Sequence, residues 1–442
     1  MPPVAADATP TARGLWLLMA VTFAAALLVS LPNLRDPMLR YDDFPALLAD
    51  PSGFWPKTLH EGRWLNYLWH LREVVTPAWL NFAVYQALWA GFAASFAFAA
   101  TGAARHGLIL ALLILIAPPA TLISLWFNTL MPGLALVTLY GLLGCVLRPR
   151  THRLLMPIFV VASFMSYTTY PLLILAMALV RSSERSVRDL AGLLGLFVAS
   201  FAAAVLIVYA INYQVHGIFG VPLAAWRAAS PASDIAGMVQ NIPLVTQSLS
   251  DLMIKASFGF APAVWFHLAM LVGGTLVLAR HVPKEALYLQ AGLWMGMALV
   301  VVQILKMGAI VPARSFLFAW VIYAAIIVRA VQVLSIKPTL AARLALNLVL
   351  LIVGSYLLQT FMQYTTYRGW QAETRALAPA VQAVNGPADI VGDVMQTPSA
   401  QEAGVQDPSA LVFRLHYLTG KTVTLCATDA GCSDTALRLG QN

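Results

Sequence analysis

The chain has 442 residues, of which 60% are hydrophobic and only 10% are charged, against about 25% charged in an ordinary soluble domain. With a mean hydropathy of +0.76, this balance excludes a soluble globular enzyme and a disordered chain. The formal charge of +8 does not mark a nucleic-acid binder, because no basic patch stands on a soluble face.

A spanning helix needs about 20 apolar residues. Uncharged apolar stretches run over 14–32, 78–101, 107–125, 131–147, 154–180, 190–212, 258–279, 286–305 and 344–361, and another over 308–336 is interrupted by Arg314 and Arg329. Backbone polar groups in lipid must be paired internally, so these stretches are helices; none alternates like a barrel strand. The first has one basic neighbour, Arg13, and no small-x-small cleavage site. It reads as an uncleaved span, with residues 1–13 on the cytoplasmic side.

Basic residues in short connections set the orientation. Arg105, then Arg148, Arg150 and Arg153, then Arg181, Arg185 and Arg188, then Arg280 with Lys284, and finally Lys337 with Arg343 are all predicted cytoplasmic. The 154–180 stretch has basic groups at both ends and a polar break, Ser166-Tyr167-Thr168-Thr169-Tyr170-Pro171, in its middle. It must therefore enter and return as two short helices. The predicted fold is an all-α polytopic membrane protein of about 11 transmembrane helices, one pair of them short. Its transmembrane domain covers 14–361, with outer loops at 33–77 and 213–257 and an outer tail over 362–442. Most of the acids fall on that outer side.

In the tail, an outer helix over 363–384 and short strands at 388–394, 411–418 and 422–428 predict a small α/β segment. Cys426 and Cys432 stand close together there, and in an oxidising compartment they read as a disulfide. Cys145 lies in an apolar stretch and reads as packing.

The densest polar and aromatic run is the first outer loop. Tyr41-Asp42-Asp43 follows the first span closely, Pro45 and Ala46-Leu47-Leu48 predict a short helix, and 59–72 predicts a second, amphipathic one lying along the interface. Asp42 and Asp43 carry three readings. One acid caps a helix, with proline in the first turn. One acid is a general base for an attacking hydroxyl. The pair holds a divalent cation, Mg²⁺ or Mn²⁺, completed by substrate phosphate oxygens.

A first span, then Tyr41-Asp42-Asp43, then Glu61-Gly62-Arg63 resembles the bacterial O-antigen glucosyltransferases of the phage-seroconversion type, within the broader type C, lipid-sugar-dependent glycosyltransferases. The likeness covers roughly 14–385 and is echoed by Tyr170-Pro171, by Arg314 in Val311-Pro312-Ala313-Arg314-Ser315, and by the outer helix after the last span. The chain departs at Trp64, where family members commonly carry proline. The resemblance implies a bacterial inner-membrane enzyme with its active site outside. It would move a hexose from a polyprenyl-phosphate donor to a hydroxyl of a lipid-linked or surface glycan such as O-antigen.

Such a donor needs cationic groups at its departing phosphate. Arg314, a charge inside an apolar stretch, is the first candidate; the alternative is snorkelling to headgroups, which is also the reading of Arg329. Arg63 is the second candidate, able to grip a phosphate with two donors. Tyr41, His60, Glu61, Trp64, Tyr167 and Tyr170 are weaker candidates for sugar contacts, and Asn128 reads as a helix-end partner. The expected mechanism is inverting, with Asp42 favoured as base and Asp43 as cap or helper. Two rival classes remain. A polymerase or ligase of surface glycans would show prominent loop arginines, whereas 213–257 holds only Arg227 and Lys255. A transporter or flippase would show repeats or mid-membrane charge.

Overall fold

A computed structural model describes residues 12–40, 43–48, 50–72, 74–102, 105–426 and 436–439. Tyr41, Asp42 and Cys432 lie outside the described residues. In chain order the first helices are α1 (Ala12–Leu34), α2 (Phe44–Leu47), α3 (Trp55–Glu61), α4 (Trp64–His70), α5 (Ala78–Thr101), α6 (Arg105–Leu115), α7 (Pro118–Ile123) and α8 (Phe127–Val146). There follow α9 (Pro149–Phe164), α10 (Tyr170–Arg181), α11 (Val187–His216), α12 (Ile235–Gln240), α13 (Ile242–Ala256), α14 (Ala261–His281) and α15 (Pro283–Met307). The chain ends with α16 (Leu317–Leu334), α17 (Leu340–Thr365), α18 (Arg368–Ala383), α19 (Pro398–Glu402) and α20 (Ser409–Thr419).

Among the described residues, 8 helices are long and apolar enough to cross a membrane, and α6 and α10 are shorter apolar helices. The molecule is thus a helical membrane protein with a small sheet in its tail. The stretch 107–125 is not one helix. Proline has no N–H to donate and pushes its predecessor into extended backbone. Pro118-Pro119 accordingly ends α6, and Ala117 takes ψ 121 before α7 starts.

The 154–180 stretch is a helical hairpin. Met165–Thr169 forms its turn, and the legs α9 and α10 return to the same end, where Arg181 donates to the Leu147 carbonyl (3.2 Å) and Arg150 meets Glu184 (3.1 Å). Residues Tyr170 to Val180 of α10 are all buried, which places this leg at the centre of the bundle. The turn seats on α8 at Gly133, where an added Cβ would collide with Ser166. At that hairpin end, Glu285 in the first turn of α15 is gripped by Arg329 at 2.5 and 2.8 Å and by Arg185 at 2.8 Å. Arg329 is therefore paired rather than snorkelling.

The first loop bends more than the sequence suggests. The predicted helix over 59–72 is broken at Gly62, whose φ of +68° lies in the left-handed region that glycine adopts without strain. The result is α3 and α4 rather than one amphipathic rod.

The tail forms a parallel sheet, β1 (Ala388–Val391), β2 (Val423–Cys426) and β3 (Leu437–Arg438), in the order β2-β1-β3. Ala388 pairs with Val423 and Ile390 with Leu437. The predicted strand at 411–418 is instead part of α20. Ala410, Leu411, Arg414 and Leu415 are its buried side, a helical spacing rather than an alternating one. Cys426 is disulfide-bonded and Cys145 is free. The tail docks on the end of α1 and the first loop. Asp36 accepts from Arg414 at 2.9 and 2.5 Å and pairs with Arg375 at 2.8 Å. Arg40 donates to the Gly404 carbonyl, and Phe44 stacks on Phe413 at 6.0 Å.

Candidate functional site

Asp43 opens the site from below. Its side chain is fully buried and does not cap its own short helix. It caps α8 instead, accepting from Asn128 N (3.0 Å), Asn128 Nδ2 (3.0 Å) and Thr129 N (2.6 Å). A carboxylate at a helix N-terminus meets unsatisfied N–H groups and the positive end of the dipole. Asp43, expected as cap or helper, thus ties the loop to α8 through a buried carboxylate. It does not suit a cation, since three N–H donors surround its oxygens. Asn128 is the helix-end partner expected of it, and Asn81 supports it at 2.7 Å. Among the described residues, no group of three His, Cys, Asp or Glu side chains could hold a metal ion.

The loop is next fixed to the hairpin turn. Leu65 N donates to Met165 O (3.1 Å), while Asn66 donates to Ser166 O (2.9 Å) and accepts from Ser166 Oγ (2.6 Å). Trp64 Nε1 donates to Asn212 at 2.8 Å and its ring is buried, so Trp64 packs the loop against α11. Tyr170 is likewise buried, edge-on to Tyr167. Neither residue lines either of the site's two cavities. His70 at the end of α4 is buried against Phe54 (4.3 Å), and burial pushes its imidazole down to about 4.

Two adjoining cavities open above this frame. One, of about 420 Å³, runs between α9, α11 and α15 and is walled largely by apolar side chains such as Phe164, Leu172, Phe201, Val205 and Leu299. The other, of about 620 Å³, lies under the tail and is lined by Trp126, Leu130, Met395, Val405, Gln406 and Asp407. Glu61, Arg63, Tyr167, Arg227 and Arg314 line both, so they form the junction.

The junction is cationic. Glu61 pairs with Arg63 at 2.6 Å and with Arg227 at 3.3 Å. Arg63 also lies over the Tyr167 ring (5.7 Å). Arg314 has no carboxylate partner among the described residues, and its guanidinium rests on the Trp126 ring at 4.3 Å, a contact that holds a cation without neutralising it. Lys306 lines the apolar cavity and donates to Ala232 O at 2.6 Å.

Arg314 sits in a 3-10 turn, Ala313–Phe316, rather than inside α16, because Pro312 starts the turn from extended backbone. Three contacts hold that turn. Val311 N donates to Ser248 (3.1 Å), Ala313 N donates to Asp251 (3.0 Å), and the Tyr167 hydroxyl meets Ser315 Oγ (3.0 Å). The middle loop thus positions Arg314 through α13. His60 lines the apolar cavity with its Nδ1 2.8 Å from Pro222 O.

Of the predicted residues, Arg63, Arg314, Glu61 and Tyr167 converge, and His60 stands at the edge. Arg227, Trp126, Gln406 and Asp407 were not singled out by sequence, since each reaches the site only through the docking of distant segments. No family model matches the chain, and no curated protein matches it.

Proposed function

We propose that the protein is an inverting membrane glycosyltransferase of type C that moves a hexose from a polyprenyl-phosphate donor to a glycan hydroxyl. The observation that carries this reading is the junction: Arg314, whose guanidinium meets no carboxylate among the described residues, lines it with Arg63 and Arg227, where an apolar cavity meets a polar one. A lipid-phosphate sugar has the same three parts in the same order. Its prenyl chain would lie in the cavity between α9, α11 and α15, its phosphate at the arginines, and its sugar in the chamber under the tail. In this reading the eight long apolar helices cross the membrane, and α6, α9 and α10 supply shorter crossings. In this reading the tail-bearing end faces outward from a bacterial inner membrane and the N-terminus stays in the cytoplasm.

Asp42, directly beside the anchored Asp43, takes the proton of the acceptor hydroxyl. The hydroxyl oxygen then bonds to the anomeric carbon from the face opposite the phosphate. The bond from that carbon to the phosphate oxygen breaks, and the electron pair leaves with the polyprenyl phosphate. Arg63, Arg227 and Arg314 meet that charge as it develops, in a site where fixed donors act more strongly than in water. A Mg²⁺ or Mn²⁺ ion would take phosphate oxygens and Asp42, since the oxygens of Asp43 are already engaged.

The test is a panel of polyprenyl-phosphate hexoses offered to the purified protein with a glycan acceptor. One is expected to be consumed with release of polyprenyl phosphate. Asp42→Asn is expected to abolish transfer while leaving the thermal midpoint in place. Asp43→Ala is expected to cost about 1–3 kcal/mol of stability, because buried donors of α8 lose their acceptor. Full activity in Asp42→Asn would sink the acid assignment.

A further inference from the structure

The chamber under the tail has a wall that the donor does not explain. Arg63, Arg227, Arg314, Trp126 and Tyr167 form its membrane side, while Met395, Val405, Gln406 and Asp407 form the other. At about 620 Å³ it is roomier than a single hexose ring requires.

The tail wall is built to stay in place. Asp407 Oδ1 accepts from Ser409 N at 2.8 Å, which fixes the carboxylate at the start of α20. The same helix carries Arg414, locked to Asp36, and the root of the 405–407 segment is held where Arg40 reaches Gly404 O. Three guanidinium groups line the chamber, yet Asp407 makes no ion pair among the described residues. It lines the chamber from the tail segment. A carboxylate and a primary amide are the side chains suited to uncharged sugar hydroxyls: the carboxylate accepts from them, and the amide does both. Met395 and Val405 supply apolar surface for the C–H face of a ring.

We propose that Gln406 and Asp407 form the acceptor subsite, taking a neutral, polyhydroxylated sugar, and that the tail is the part of the molecule that reads the acceptor. This rests on the glycosyl-transfer reading above and deepens it. The carboxylate disfavours an acidic sugar at that position, so the acceptor residue bound there is uncharged.

The experiment measures KM for donor and acceptor separately in wild type, Asp407→Asn, Asp407→Ala and Gln406→Ala. Losing a hydrogen bond to a charged group is expected to raise the acceptor KM about tenfold or more in Asp407→Ala, with the donor KM changed less than about twofold. Asparagine can still cap Ser409 N, so Asp407→Asn separates loss of charge from loss of fold. Gln406 is exposed, and its alanine variant reads the same subsite if Asp407→Ala does not fold. An unchanged acceptor KM in both Asp407→Asn and Gln406→Ala, with an active wild type, overturns the subsite alone. A rise confined to the donor KM also overturns it and assigns the wall to the donor. A wild type that turns over no lipid-phosphate sugar overturns the transfer reading, and the subsite falls with it.

Discussion

Glu285 and Glu61 are both carboxylates set among arginines, near opposite ends of α15, which carries Glu285 in its first turn and Lys306 in its last. Around Glu285 the charges close on themselves. Arg329 and Arg185 grip the carboxylate, and only about 10 Å³ of space remains. Around Glu61 the packing is more open. Arg63 and Arg227 both meet this carboxylate, Arg314 rests on the Trp126 ring, and two large cavities open beside them. The same residue types build a clasp at one end and, at the other, the cavity-lining cluster that we propose binds an anion. What differs is the space beside the charges. His70 shows a third solution, in which a buried base gives up its charge.

The comparison can be broken at each of these places. The largest effect is expected at the clasp. Glu285→Ala leaves Arg329 and Arg185 uncompensated in a buried setting, and breaking such a pair costs about 3–5 kcal/mol. The thermal midpoint in detergent should fall sharply, while the folded fraction keeps its transfer rate. A stable but inactive Glu285→Ala would place function at the wrong end. Arg314→Ala should do the reverse, since it strands no carboxylate: stability holds and donor handling fails.

The smallest effect concerns His70. Its imidazole falls from the usual 6.5 to about 4, first through burial and then through Arg72 and Lys57. The unfolded chain takes up the proton below 6.5, whereas the folded chain resists it until about 4. The stability tied to neutral His70 is therefore complete above about pH 6.5 and is lost as the pH falls toward 4. Denaturant midpoints followed across that window should show the slope, and His70→Gln should flatten it.

Much of this arrangement is legible in the sequence. The hairpin follows from a polar, proline-marked break between two basic groups, and Arg314 stands out as a charge in an apolar stretch. Other parts depend on long-range contacts. The break at Gly62 is a local glycine signal, yet the amphipathic pattern of 59–72 runs across it. Asp43 looks like the cap of its own helix, but its carboxylate serves α8, a partner fixed only when the loop folds back on the bundle. Arg227 gains its meaning from Glu61, and Asp407 from the docking of the tail by Asp36. In α20 the residues with strand-forming side chains are overruled by helical spacing of the buried positions.

The central claim is that Arg314, which meets no carboxylate among the described residues, holds the donor phosphate. It is tested most directly by the affinity of the purified protein for polyprenyl phosphate, measured on wild type and Arg314→Ala side by side. A hydrogen bond to a charged group predicts about ten- to hundredfold weaker binding in the variant, at an unchanged thermal midpoint. Equal affinity in the two proteins would contradict it.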